Sequence, residues 1–309
     1  MGEQLPDRAG WARHSAAFYD GADSFSSCVR SFVGNDGGGP VLIAAPGPSL
    51  ALLRDRLGSK DGRLRWTDMT TIGANPARII PAIRAFADSH RGRAVRCVIE
   101  SLWEGRSAEQ RRETVRHEAL VNRAFSGLPV VVLCAYNAAM ASVAAIAHLT
   151  HPVLIRDGAR YSSTGYDPGR LFPKGYDEPF EPVPPDAAAL AYGANLTAVR
   201  AFASECARSA GLAVERSTDL IIAVGELVAN TYRHTGGGGV LSVWVAGGDL
   251  ICQVRDSGHI ADPLAGRHPP APGGAGGLGL WAVHQLCDLV EIRTALGDTR
   301  IRLHMRLDS

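Results

Sequence analysis

The sequence predicts two domains in tandem: an N-terminal α/β domain on a mostly parallel sheet, and a C-terminal α+β sandwich. Three observations predict this. The first half alternates short β-rich runs with helical stretches, the rhythm of a parallel sheet covered by helices on both faces. The second half sets helices beside strands that alternate around tight turns, as helices on one face of an antiparallel sheet do. Between them, residues 157–185 lose periodicity and gather Pro, Gly and Tyr, the composition of a connector or a small exposed hairpin. The expected division is 1–165, a linker at 166–186, and 187–309. A chain of 309 residues is ample for two such cores.

In the first half, residues 40–45 read as a buried strand ending at a Pro-Gly turn, and 49–57 as a helix. A second strand is expected at 63–68. A helix follows at 76–87, where Ile79, Ile80, Ile83, Phe86 and Ala87 recur at helical spacing. Residues 95–99 form a third strand, 108–125 a long amphipathic helix, 130–134 a wholly apolar fourth strand, and 139–147 a helix. In the second half a helix runs over 196–210 and stops at Gly211. Another covers 214–234. Residues 240–246 and 250–256 alternate around Gly247-Gly248 and predict a hairpin. A helix at 278–286 and strands at 289–294 and 300–306 close the domain.

Bulk properties exclude several classes. Apolar residues make up 46% and charged residues 20%, as in a soluble globular protein. The net charge of +1 offers no nucleic-acid footprint. No apolar run reaches a membrane span. Residues 1–13 are polar and hold two acidic residues, unlike a secretory or transit signal. The six cysteines are scattered without a Cys-x-x-Cys pair, which fits small core residues in a reducing cytoplasm.

Chemistry concentrates in three places in the second half. Glu226 and Asn230 lie four apart on an apolar helix and share one face. A carboxylate and a carboxamide on a buried helix need a partner, and Mg²⁺ with a polyphosphate would be one. Asn oxygen is a hard ligand, and Glu226 could act on an attacking hydroxyl. Arg233 and His234, one turn on, could meet phosphate charge. Asp256 ends a strand before Ser257-Gly258, where it can accept from an exocyclic amine. Gly273 to Gly279, with Gly274, Gly277 and Leu278 among them, open a helix whose backbone amides can face phosphate. The Pro- and Gly-rich stretch 259–272 suits a mobile lid. Each feature alone has an ordinary reading: a helix-surface pair, a β-turn, a flexible loop. Their order makes the case.

The stretches "AVGELVANTYRHTGGGG", "CQVRDSGHIADPLAGR" and "GGAGGLGLWAVHQLCDLVEIR" resemble the anti-sigma-factor serine/threonine kinases, of the GHKL (Bergerat) fold. The resemblance covers roughly 187–309. It implies ATP and Mg²⁺ as cofactors, with Asn230 on Mg²⁺, Glu226 as catalytic base and Asp256 on adenine. Gly258, Gly274, Gly277, Leu278 and Gly279 would shape the phosphate pocket. It also implies a Ser or Thr on an anti-anti-sigma (STAS) protein as substrate, with a sigma factor as second partner. The short lid departs from the family in lacking obvious basic phosphate clamps.

The first half has no G-x-x-x-x-G-K-[ST]; after the strand at 40–45 it reads Ala45-Pro46-Gly47-Pro48-Ser49, so no second ATP site is expected. Residues 14–154 resemble the MEDS sensory domain in "HSAAFY", "RWTDMTTIGANPARIIPAIRAF", "IESLWEGRS", "RHEALVNRAF", "LCAY" and "THPVLI". That resemblance implies a RecA-like α/β fold and the sensing of a small molecule. Glu100, Trp103 and Tyr136 follow strands at the sheet edge where such folds hold ligands, and His14 and His117 join them as sensory-pocket candidates. A metal reading of His14, His117, Cys134 and His151 finds no ligand spacing. The expectation is a cytoplasmic two-domain switch in which the first domain senses and the second is a kinase, with room for a homodimer. Its rivals are an ATP-gated sigma-factor-binding module without catalysis and a histidine kinase phosphorylated on His117.

Overall fold

The computed structural model describes residues 13–34, 38–58, 61–171, 179–269 and 277–307. The chain divides into two compact units, Met1–Tyr176 and Asp177–Ser309.

The first unit is a seven-stranded sheet in the order β3-β2-β4-β5-β1-β6-β7. Its strands are β1 (His14–Tyr19), β2 (Val41–Ala45), β3 (Leu64–Asp68), β4 (Val95–Ile99), β5 (Val130–Asn137), β6 (Val153–Arg156) and β7 (Ala159–Ser162). All pairings are parallel except the β6–β7 hairpin, whose edge strand is exposed throughout. Strand β1 was not expected. All six of its residues are buried, so it lacks the alternation by which a strand is read. It nevertheless lies inside the sheet, between β5 and β6.

The helices are α1 (Gly21–Gly34), α2 (Gly47–Leu57), the single turn α3 (Met69–Ile72), α4 (Ile79–Asp88), α5 (Ala108–Ala124) and α6 (Val143–Thr150). Two depart from expectation. The helix expected over 76–87 starts as a 3-10 turn at Pro76–Arg78, because Asn75 caps it by accepting from the Ala77 amide at 3.1 Å. Helix α6 starts four residues late. Asn137 Oδ1 accepts from the Ala139 amide at 3.0 Å and Ser142 sits at φ 69°, so the chain turns before it can wind. Helix α5 starts with a Ser107–Gln110 capping box, then buries an unbroken run from Glu113 to Val121. Glu113, Arg116, His117 and Glu118 lie in that run, so this helix carries ionisable groups into the core.

The second unit is an antiparallel five-stranded sheet, order β11-β12-β10-β9-β8. Its strands are β8 (Ala188–Tyr192), β9 (Gly239–Ala246), β10 (Asp249–Asp256), β11 (Leu289–Ala295) and β12 (Asp298–Arg306). Edge strand β8 was not expected either; four of its five residues are alanine or leucine, with no apolar–polar alternation. The helices are α7 (Leu196–Ser209), α8 (Val214–Thr235) and α9 (Leu278–Leu286). They cover one face. Leu220, Val224, Leu227 and Val228 of α8 and Val199 and Ala203 of α7 pack on Leu241, Cys252, Val254 and Leu303. Thus the mixed α/β and α+β architecture holds: a mostly parallel sheet with helices, then an antiparallel sheet with helices on one face.

The alternate residues of β10 and β12 make a polar second face. Arg302 donates to Gln253 Oε1 at 2.9 Å and stacks over Phe180 and Trp244. Beside it His304 bonds Glu291 Oε2 through Nε2 at 3.1 Å and faces Asp249 through Nδ1 at 3.5 Å. Burial opposes the imidazolium, but Asp249 and Glu291 together outweigh it and raise His304 to about 9. Its folded value lies above the unfolded one, so this cation's stabilisation is full below about pH 6.5 and is lost as pH rises through about 9. The unfolding free energy from urea titrations should fall from about pH 6 to about pH 10 by roughly 3 kcal/mol. His304→Gln should flatten that dependence; an unchanged slope in the variant would contradict the assignment.

Candidate nucleotide site

The candidate site is built on α8. Its apolar stripe enters the core, which leaves Glu226 and Asn230 half-buried on an adjoining face. The first turn of α9 lies against both. A Cβ on Gly279 would stand 2.8 Å from Glu226 Oε2 and 3.1 Å from Asn230 Nδ2, so any side chain there displaces the ends of both. Gly277 caps α9 at φ 87°, a left-handed conformation that suits glycine, and no cap side chain bonds the first-turn amides. Arg233 Nη1 donates to Asn230 Oδ1 at 2.9 Å. Two motifs about 50 residues apart in the chain therefore meet at one spot, where hard oxygens face a helix N-terminus.

The third motif sits one turn along α8. Asp256, the last residue of β10, accepts from Thr231 Oγ1 at 2.6 Å and from the Gly258 amide at 2.7 Å. Tyr192 from β8 lies 3.1 Å from Thr231 Oγ1. Thr231 commits its proton to the carboxylate, so Tyr192 is the donor in that pair. Burial, reinforced by the Asp256 charge, raises the Tyr192 phenol to about 12 and keeps that proton in place. Beyond the turn, Thr299 Oγ1 donates to Gly258 O at 3.0 Å and Thr294 Oγ1 accepts from the Ile260 amide at 2.9 Å. Thr231, Tyr192 and Thr299 were not singled out in the sequence. The one available signal was Thr231, a hydroxyl on the core side of an apolar helix.

The stretch expected to be a mobile lid is partly anchored. Leu264 and Arg267 are buried. A Cβ on Gly266 would lie 2.8 Å from both Leu280 and His284, which packs this backbone on α9. His234 is exposed, and Gly274 lies outside the described residues.

The sensory candidates of the first unit scatter over two environments. Glu100 accepts from Tyr19 at 2.7 Å, and burial raises its carboxyl. Trp103 stacks under Arg106 at 3.7 Å. His14, His117 and Tyr136 are fully buried. None of the five lines the cleft of about 360 Å³ bounded by Phe18, Cys28, Ile155 and Arg160. Cluster geometry also corrects the metal reading: His14, Cys134 and His151 do converge, and Glu118 rather than His117 joins them.

Residues 13–152 match the family model described as MEDS, "MEthanogen/methylotroph, DcmR Sensory domain". Residues 190–306 match the model described as "Histidine kinase-like ATPase domain". The chain therefore joins a MEDS domain to a histidine kinase-like ATPase domain, and its C-terminal sheet and helices are those of the GHKL type. No curated protein matches. Among solved structures, a crystal structure of the RsbU and RsbW domains of Rv1364c from Mycobacterium tuberculosis is similar at 22% identity and a TM-score of 0.31. That likeness covers 40% of this chain and 32% of the other, so about a third of that protein's length is spanned. No described helix is long and apolar enough to cross a membrane.

Gly279→Ala tests the convergence. The added methyl must push Glu226 and Asn230 aside, and nucleotide affinity should fall at least about tenfold, ~1.4 kcal/mol. Titration with a fluorescent ATP analogue reads this; unchanged affinity would show that the α9 start is not part of the site.

Proposed function

We propose that the C-terminal unit binds Mg-ATP and phosphorylates a Ser or Thr on an antagonist protein of the anti-anti-sigma (STAS) class. The switch so formed controls a sigma factor under the direction of the N-terminal MEDS domain. The observation that carries this is the close approach of Gly279 to Glu226 and Asn230. It brings a carboxylate, a carboxamide and a helix N-terminus together around a backbone without a side chain. Those donors fit a magnesium polyphosphate.

Each residue has a role that its surroundings support. Thr231 and the Gly258 amide orient Asp256, whose remaining lone pairs can accept from the adenine amine. Asn230 offers Oδ1 to Mg²⁺, and Arg233, already bonded to that oxygen, stands ready for phosphate charge. Gly258, Gly277 and Gly279 bring backbone without side chains toward the phosphates, and Leu278 offers its first-turn amide; Gly274, outside the described residues, is assigned to the same loop by sequence alone. Glu226, on the same face as Asn230, would take the proton of the attacking hydroxyl. Mg-ATP supplies the phosphoryl group and neutralises its charge, so the chain's task is positioning.

The same geometry also serves an ATP-gated module that sequesters a sigma factor without catalysis, since only Glu226 speaks to chemistry. A histidine kinase phosphorylated on His117 is disfavoured, because that imidazole is wholly buried in α5.

Incubation of the full chain with labelled ATP and candidate STAS proteins decides. Acid-stable phosphate should appear on one partner. Glu226→Ala should reduce transfer on the order of 10²-fold while ATP affinity changes little. ATP binding without transfer to any partner would leave only the sequestering module.

A further inference from the structure

The first unit contains a buried cluster that neither the nucleotide chemistry nor the sheet packing uses. His14 on β1, Glu118 on α5, Cys134 on β5 and His151 at the end of α6 are fully buried, and their ligand atoms all lie within 4.8 Å of one another. His14 Nε2 stands 3.4 Å from both Cys134 Sγ and Glu118 Oε2. Glu118 Oε2 is 3.1 Å from Cys134 Sγ and 3.5 Å from His151 Nε2. The edge of a tetrahedron is about 1.6 times its centre-to-vertex distance. Zinc bonds of about 2.0–2.3 Å thus demand ligand separations of about 3.3–3.8 Å. Four of the six separations run from 3.1 to 3.5 Å, and all six lie within 4.8 Å, so a modest adjustment of the side chains brings the set to that geometry.

From this geometry we propose that His14, Glu118, Cys134 and His151 form a closed tetrahedral site for a divalent transition metal, zinc by preference. The donor set suits it: two imidazoles, a thiolate and a carboxylate are all zinc ligands, and four protein ligands make a closed, structural site. A second observation points to a ligand. His151 Nε2 is buried without a hydrogen bond, while its Nδ1 is engaged by Thr150 Oγ1 at 2.8 Å and Ala147 O at 3.3 Å. That arrangement holds the outer nitrogen and leaves the inner one for a metal. The other ligands are held from behind as well. Ser101 donates to Glu118 Oε1, and Asn122 Nδ2 lies 3.1 Å from His14 Nδ1 and donates to Thr150 O at 3.4 Å, which fixes the ring.

Charge balance points the same way. As ligands both imidazoles are neutral and bring no charge to the site. Neither can then neutralise Glu118. Arg106 feels the Glu118 charge, but its guanidinium donates to Ser101 O and Gly73 O, each at 2.7 Å. A divalent ion with one carboxylate and one thiolate leaves a buried site of zero net charge. On entry the Cys134 S–H bond breaks, its proton leaves to solvent, and a sulfur–metal bond forms with no change of oxidation state.

The test is cobalt(II) titration of the full chain after chelator treatment and without nucleotide, followed by zinc. One equivalent per chain should bind, with the strong visible bands of tetrahedral cobalt and a near-ultraviolet thiolate-to-cobalt band; about one proton should be released, and zinc should erase both bands. Cys134→Ser should lose the near-ultraviolet band. Should that variant not fold, metal analysis of the wild-type chain as purified decides, with close to one zinc per chain expected. Cobalt bound without a thiolate band, as at the oxygen ligands of the nucleotide site, would overturn the proposal. So would an unchanged spectrum in Cys134→Ser, or wild-type protein that neither carries nor takes up metal.

Discussion

Helix α8 faces two environments along its length, and the hydrogen bond from Thr231 to Asp256 fixes where they meet. Toward its start the helix buries Leu220, Val224 and Leu227 in the core. Toward its end it leaves Asn230 half-buried and Arg233 exposed. A 2.6 Å bond from a buried hydroxyl to a carboxylate at the end of β10 stops the helix from rotating between these demands. Tyr192 donates into the same bond from β8, and Gly258 closes it from the far side. The placement of Glu226 and Asn230 against Gly279 follows from that lock, since α9 packs on the face of α8 that it exposes.

The N-terminal unit solves a different problem of buried polarity. Its sheet is covered well enough that α5 is buried from Glu113 to Val121, and ionisable side chains travel inward with it. Glu118 meets two imidazoles and a thiol there. In the C-terminal unit the comparable group, His304, is matched by two carboxylates and stays cationic to about 9. One cluster is compensated within the chain. The other acquires its compensation from a metal under the proposal made above.

Much of this was legible in the sequence. The periodicities of α4, α5, α7 and α8 and the Gly-Gly turn between β9 and β10 announced themselves, because one-sided burial writes a pattern. Strand β1 was illegible for the opposite reason: burial on both faces erases alternation. The order of Glu226, Asn230, Asp256 and the Gly277–Gly279 turn pointed to a nucleotide site, but nothing in one dimension shows that Gly279 touches Glu226. The supporting hydroxyls of Thr231 and Thr299 look like ordinary helix and strand threonines until the fold aligns them. His14, Cys134 and His151 share no metal-binding spacing, because β1, β5 and α6 deliver them from separate elements, and a one-residue step along α5 decides that Glu118 rather than His117 completes the set.

The central claim is a nucleotide site organised by α8 with Asp256 reading the base. Calorimetric titration of wild-type and Asp256→Asn chains with Mg-ATP tests it most directly, since the variant keeps the shape of the side chain but exchanges an acceptor for a donor. Saturable binding to the wild type, weakened at least about tenfold in the variant, is expected. No binding to the wild type, or equal affinity in the two, would contradict it.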